Sequence, residues 1–153
     1  MVDATINFIA LHLAALLVGA MFAVWLIFDP SGLDAQTYLA QQRLGVRTLN
    51  TLLPALGAAT VGLMIVHALF AREDRLRLAI LVAALLAVAM AGLITRFGNQ
   101  PINAMMSAWS PDRPPADWMQ WRDAWWHYHR LRLGCGLLGL SLLIVATLAR
   151  RQV

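Results

Sequence analysis

The sequence predicts an all-α integral membrane protein, an antiparallel four-helix transmembrane bundle, and three observations carry that prediction. Four separate stretches are each apolar over about the 20 residues that a helix needs to cross the hydrocarbon core. The 153-residue chain is 60% apolar and only 13% charged, with mean hydropathy +0.65, whereas a soluble domain carries about a quarter charged residues. A spanning segment must also satisfy its own backbone in lipid, which a helix does and an open strand cannot. Residues 1–153 are therefore expected to form a single transmembrane domain with helices at about 5–28, 41–71, 77–97 and 119–149.

The first crossing, Ile6 to Phe28, ends at Asp29-Pro30-Ser31-Gly32, because proline disfavours the helical region at the residue before it and glycine tolerates a turn. Its apolar stretch is too long for a cleaved export signal and follows Asp3 rather than a basic segment, so it is expected to stay in the mature protein. The second crossing, Leu49 to Ala71, is approached through Tyr38 to Pro54, YLAQQRLGVRTLNTLLP. There Arg43, Arg47, Asn50 and Pro54 fall at i, i+4, i+7 and i+11, one stripe of a helix. A polar stripe so close to lipid is expected to face protein or a wet pocket. A tight charged turn, Arg72 to Arg77, leads into the third crossing, Leu78 to Thr95. A longer connection from Phe97 to about Trp121, holding Pro101, Pro111, Pro114 and Pro115, precedes the fourth, Leu131 to Ala149.

The net charge of +4 comes from arginine alone, since the chain has no lysine. The arginines stand singly or in pairs at the ends of apolar runs, a placement that suits anionic lipid headgroups and not a nucleic-acid groove. Arg72, Arg75 and Arg77 fall on the same side as Arg150 and Arg151, and an even number of crossings puts both termini there too. Short arginine-bearing loops stay inside, so both termini are expected in the cytoplasm, with the protein in the inner membrane if the cell is bacterial. Against this, Arg43, Arg47, Arg96, Arg113, Arg122, Arg130 and Arg132 lie in longer segments on the opposite side. The lone Cys135 excludes an internal disulfide and a multi-cysteine metal cluster, and in its apolar surroundings it is expected to be a small buried residue.

In such a bundle the end of helix one, the start of two, the end of three and the start of four share one membrane face, and nearly all the unusual side chains belong to it. Trp125, His129, Arg132, Gly136 and Gly139 follow i, i+4, i+7, i+11 and i+14, with Arg122 one turn higher on the same stripe. The two glycines either admit a neighbouring helix or leave room for something flat. Trp109, Trp118, Trp121 and Trp126 have the commoner explanation of an interfacial aromatic belt. His129 and Arg132 do not, because ionisable residues beside a span usually serve a function.

These residues resemble an integral membrane family that includes the fungal anthrone oxygenases. The likeness lies in N-x-P-x-N after the third helix, here Asn99, Pro101 and Asn103, and in W-x-x-x-(N or H)-x-x-R, here Trp125, His129 and Arg132. Weaker echoes are Gly19, Ala20 and Phe22, the Asp29-Pro30 exit, and Gln41 or Gln42 followed by Asn50. Many members of that family carry asparagine where this chain has His129. The resemblance extends over essentially the whole chain and implies oxygenation of an anthrone-like polycyclic phenol to a quinone without bound metal or flavin. It implies His129 as base, Arg132 with Asn103 or Asn99 stabilising an oxyanion, and Trp125 stacking on the ring. Arg96, Arg47, Asn50 and Arg122 are expected to complete the substrate site. Dioxygen and the flat substrate would both reach it from lipid.

The remaining histidines offer a different chemistry. His12 and His67 lie about 12 Å and about 6 Å from the cytoplasmic ends of their helices at 1.5 Å per residue. A haem clamped between them needs axial ligands at a common level; the plainer reading is a histidine hydrogen-bonded within the bundle. His127 and His129, two apart on a helix, face different directions and make a poor metal pair. The expectations are therefore an oxygenase, a non-enzymatic binder or carrier of a quinone-like ligand, or an accessory subunit whose polar cluster docks a partner. Gly57 and Gly62 would permit a homo-oligomer.

Overall fold

The computed structural model describes residues 2–149; Arg150 and Arg151, part of the orientation argument, lie outside them. Its helices are α1 (Val2–Ile27), α2 (Ala35–Leu49), α3 (Leu52–Phe70), α4 (Arg75–Ile94), α5 (Gln100–Ser107) and α6 (Trp118–Leu148), with a π-helical turn at Thr95–Asn99. Four stretches are long and apolar enough to cross a membrane: Val2–Ile27, Leu52–Phe70, Arg75–Ser107 and Trp118–Leu148. The chain is thus all-helical and membrane-spanning, as its composition requires. Phe8, Leu16, Leu26, Leu69, Leu86 and Leu148 are all more than half exposed, which only a hydrocarbon solvent tolerates on this scale.

α1 packs on α3 and α6, and α4 packs on α3 and α6, closing a ring of four. Thr147 donates to Asn7 Oδ1 at 3.0 Å, while His129 meets Met21 near the other end, so the start of α1 lies beside the end of α6. Glycines set how closely α6 approaches its neighbours. A Cβ on Gly136 would come within 2.7 Å of Met21 Cε, and one on Gly139 within 2.6 Å of Val88 Cγ2 and 3.2 Å of the Ala84 carbonyl. Of the two uses open to this pair, the structure takes helix contact.

At the end nearer the termini, Arg77 is buried and donates to both Asp3 oxygens at 3.2 and 3.1 Å, with His67 Nε2 2.6 Å from the same nitrogen. Arg77 is therefore engaged inside the protein and not displayed to headgroups. His67 is fully buried in this cluster, whereas exposed His12 donates to the Phe8 carbonyl of its own helix at 2.8 Å. The two rings thus lie in different surroundings.

Two stretches differ from the expected boundaries. The helix expected over 41–71 is divided at Asn50–Thr51: α2 begins at Ala35, where Asp34 accepts from the Thr37 amide at 2.9 Å, and Pro54 falls in the first turn of α3, where its missing N–H costs nothing. The helix expected to end near residue 97 instead runs on to Ser107. Pro101 cannot donate to the Phe97 carbonyl and its ring crowds it, and widening the preceding turn to i+5, with the Gln100 amide bonding the Thr95 carbonyl, lets the rod continue. α2 and α5 then pack together. Tyr38, Leu39, Ile102, Met106 and Trp125 form a second small core there, separate from the main core between the spanning helices. Burial pushes the Tyr38 phenol above its usual range, keeping it a neutral donor to Met106 Sδ. Trp109, Trp118 and Trp126 pack against this cap, and only Trp121 of the expected belt is exposed, its indole donating to Asp117 at 3.0 Å.

Candidate functional site

The π turn brings Asn99 and Asn103, one helical turn apart, against the start of α6. Asn99 is fully buried and donates to the Trp125 carbonyl at 3.0 Å. Asn103 is a hub of three hydrogen bonds. Its Oδ1 accepts from Trp125 Nε1 at 2.7 Å and Gln42 Nε2 at 3.0 Å, while its Nδ2 donates to Asn50 Oδ1 at 3.0 Å. One side chain thereby joins α2, α5, α6 and the break after α2.

A helical turn deeper stands Arg132, 7% exposed. Its Nε and Nη2 donate to His129 Nδ1 at 3.2 and 2.9 Å, its Nη1 donates to Thr95 Oγ1 at 3.3 Å, and its Cζ lies 5.9 Å from the centre of the Trp125 ring. Every hydrogen-bond partner is neutral, and among the described residues no carboxylate pairs with it. A buried cation without a counter-ion is costly unless something else supplies negative charge.

His129 is completely buried, stacked on Trp125 and Trp126 with ring planes 7° apart. A carbonyl can only accept and a guanidinium only donate, so Nε2 carries the proton shared with the Met21 carbonyl at 3.1 Å and Nδ1 is the acceptor for Arg132. The lone pair required of a base therefore points at Arg132 and not into open space. His129 positions the guanidinium.

Two cavities flank Arg132. The first, about 70 Å³, lies beneath α2; Gln41, Gln42, Asn50, Thr95, Asn103 and Arg132 form its polar side, with Trp125 beside them, and Val24, Phe28, Val46, Leu49 and Leu53 its apolar side. The second, about 300 Å³, lies between α3 and α4 against Leu17 and Met21 of α1, and its wall is mostly apolar. Leu53, Pro54, Thr95 and Arg132 border both.

Of the residues expected to form a site, Asn50, Asn103, Trp125 and Arg132 converge on the polar cavity, with Asn99 and His129 bracing them from behind. Arg96 lies on the rim of the apolar cavity and is exposed. Arg47 is exposed and borders neither cavity, and Arg122 is paired with Asp123 at 2.8 Å over the Trp118 ring. The stripe through Arg43 and Arg47 misses the cavity because α2 ends before Asn50; Arg43 instead donates to the Ser107 and Trp109 carbonyls that end α5. The neighbouring face of α2, Gln41, Gln42, Gly45, Val46 and Leu49, is the one that lines it. Gln42 and Thr95 are the functional neighbours least visible in the sequence. An echo of the family pattern signalled the first; only the fold reveals the second.

The family model for anthrone oxygenase matches residues 43–142. No curated protein and no solved structure matches the chain. The matched segment runs from α2 to within the last third of α6, so it holds every polar residue of the cavity wall except Gln41 and Gln42 and contains all of the α5–α6 bracing. By that match, over well more than half its length, the chain belongs to the anthrone oxygenase family.

Proposed function

We propose that this protein is a membrane-embedded oxygenase for an anthrone-like polycyclic phenol, with Arg132 as the group that holds the substrate's developing oxyanion. The observation that carries this reading is the buried guanidinium without a carboxylate partner, set between two cavities, the smaller of which brings the amides of Gln41, Gln42, Asn50 and Asn103 close to it. An anionic oxygen placed there meets a charged donor already held in place by His129 and Thr95. Such preorganised charge is where an enzyme gains most, because no reorganisation is needed when the oxyanion forms.

The chemistry balances without further reactants. The substrate's methylene loses a proton to water, leaving an enolate whose oxygen rests against Arg132. The carbanion carbon bonds dioxygen, and the peroxide formed takes up a proton and loses water across that carbon. The methylene becomes a carbonyl, and its two hydrogens leave with one oxygen atom as water. Trp125, expected to stack on the ring system, lies in the wall of the smaller cavity and is itself stacked on His129, so the ring system is left to the larger, apolar cavity on the other side of Arg132. Asn103 and Asn50 hold the wall and supply amide dipoles.

The test is oxygen uptake by purified protein in detergent micelles with anthrone as substrate, wild type against Arg132→Gln. Uptake above the uncatalysed rate, falling at least tenfold in the variant, is expected; equal rates with and without wild-type protein would overturn the proposal. One observation favours a second reading, a binder of a lipophilic acid or quinone: no carboxylate or imidazole lines either cavity among the described residues. Retention of anthrone without turnover would select it.

A further inference from the structure

We propose that the groove between α3 and α4 is a lateral entrance from the bilayer and the subsite for the apolar body of the ligand, whose acidic oxygen then reaches Arg132 from the membrane side. The inference rests on the proposed function only for the identity of that oxygen as an enol or phenol; the ligand class it requires is a planar or elongated apolar molecule with one anionic oxygen.

The first support is what the small residues of the groove touch. In membrane helices glycine usually marks close approach of another helix, as at Gly136 and Gly139. Gly92 on α4 is different: a Cβ there meets nothing within 4 Å, and one on Gly57 of α3 meets only Leu17 Cδ2 at 3.8 Å. Both glycines line the groove. They keep a space open where others close one.

The second support is where the groove opens. α3 and α4 are joined tightly at residues 71–74, and Gly57 and Gly92 both lie well away from that turn, at about 20 Å and about 26 Å along their helices by the 1.5 Å rise. Ala58, Gly92 and Leu93 are exposed, on spans that cross the membrane, so the mouth faces hydrocarbon. The far wall is Arg132. An apolar passage from lipid that ends on a buried, uncompensated cation selects for an apolar body carrying negative charge.

The third is size. The smaller cavity, about 70 Å³, has room for several waters at about 10–15 Å³ each. The groove is about four times larger. The two therefore divide the work, the smaller taking oxygen and water and the larger taking carbon.

Anthracene-9-carboxylate, a fluorescent planar tricycle with one carboxylate, is the probe, and protein in phosphatidylcholine nanodiscs is the receptor. Substituting Gly92→Ala, Gly92→Val and Gly92→Phe fills the groove by degrees, and Gly19→Phe, whose Cβ also meets nothing within 4 Å but which lines neither cavity, is the control. Affinity is expected to be near wild type for Ala, to fall with volume and to drop at least tenfold for Phe, with the control unchanged. In nanodiscs of dibrominated phosphatidylcholine the bound probe is expected to be quenched, a readout on the wild-type chain that needs no variant to fold. Unchanged affinity across the Gly92 series, or binding without bromine quenching, overturns the inference. The outcome is separable from the oxygenase test: probe binding lost on filling the groove while anthrone uptake is absent keeps the entrance and removes the reaction, and uptake with an unaffected series does the reverse.

Discussion

The imidazole of His129 on α6 donates from Nε2 to the main-chain carbonyl of Met21 on α1, at 3.1 Å. This single bond fixes the tautomer that leaves Nδ1 facing Arg132. It follows that the residue's work is to accept from one side and donate to the other, separated by the width of a ring.

An asparagine can do both, with Oδ1 toward the guanidinium and Nδ2 toward the carbonyl. His129→Asn is therefore expected to keep most of the anthrone-dependent oxygen uptake and its pH profile, whereas His129→Ala leaves Arg132 unbraced and the carbonyl unmet. The alanine variant is expected to lose about 1–3 kcal/mol per stranded polar group, seen as a lower melting temperature in detergent, together with most activity. Abolished activity in a well-folded asparagine variant would restore a proton-transfer role to the imidazole.

Asn103→Leu removes the acceptor of Trp125 and Gln42 and the donor to Asn50 at one stroke. The expected result is loosening of α2 and α5 from the bundle, with faster limited proteolysis near residues 108–117 and a lower melting temperature. Asn103→Asp keeps the acceptor of Trp125 and Gln42 but loses the donor to Asn50 and buries a carboxylate, so a lower melting temperature is expected there too.

Gly139→Ala forces a methyl within 2.6 Å of Val88 Cγ2 and 3.2 Å of a backbone oxygen, and overpacking of this kind costs about 1–3 kcal/mol. Gly134→Ala meets nothing within 4 Å and should be neutral or stabilising, by up to about 1 kcal/mol of helix propensity. Thermal unfolding of the pair in one detergent checks the contrast.

Asp34 caps α2, and hydrogen bonds from the Thr37 amide and hydroxyl hold its carboxyl below the usual carboxylate value. A depressed value means the contribution is present above the ordinary value of 3.8 and lost as pH falls through the lower folded one. Amide exchange protection at the start of α2 is expected to weaken on acidification below about pH 4, and Asp34→Asn should remove that dependence. An acid response unchanged in the variant would assign it elsewhere.

Much of this arrangement was legible in the chain. Four apolar runs announced four spans, and the stripe of Trp125, His129 and Arg132 lies on the buried side of α6 as periodicity required. Charge and aromatic content could not distinguish a side chain facing the cavity from one facing solvent when the helix carrying it stopped early. Arg47, expected at the site, borders neither cavity for that reason, and Gln42 was visible only as an echo beside Gln41 of the family pattern. Nor does spacing reveal tautomers: the role of His129 depends on a carbonyl 108 positions away in sequence, which no local pattern encodes.

The widened turn at Thr95–Asn99 has a consequence for how this rod tolerates change. It amounts to one surplus residue, and each residue turns an α-helix by about 100°. Deleting one position there would restore an unbroken ladder and leave the rod beyond it facing as before, whereas forcing every residue into regular turns would swing Asn103 by nearly a third of a revolution, away from its partners. The irregularity works as a phase shifter: upstream, the rod obeys the bilayer; downstream, the same rod answers to the amide cluster.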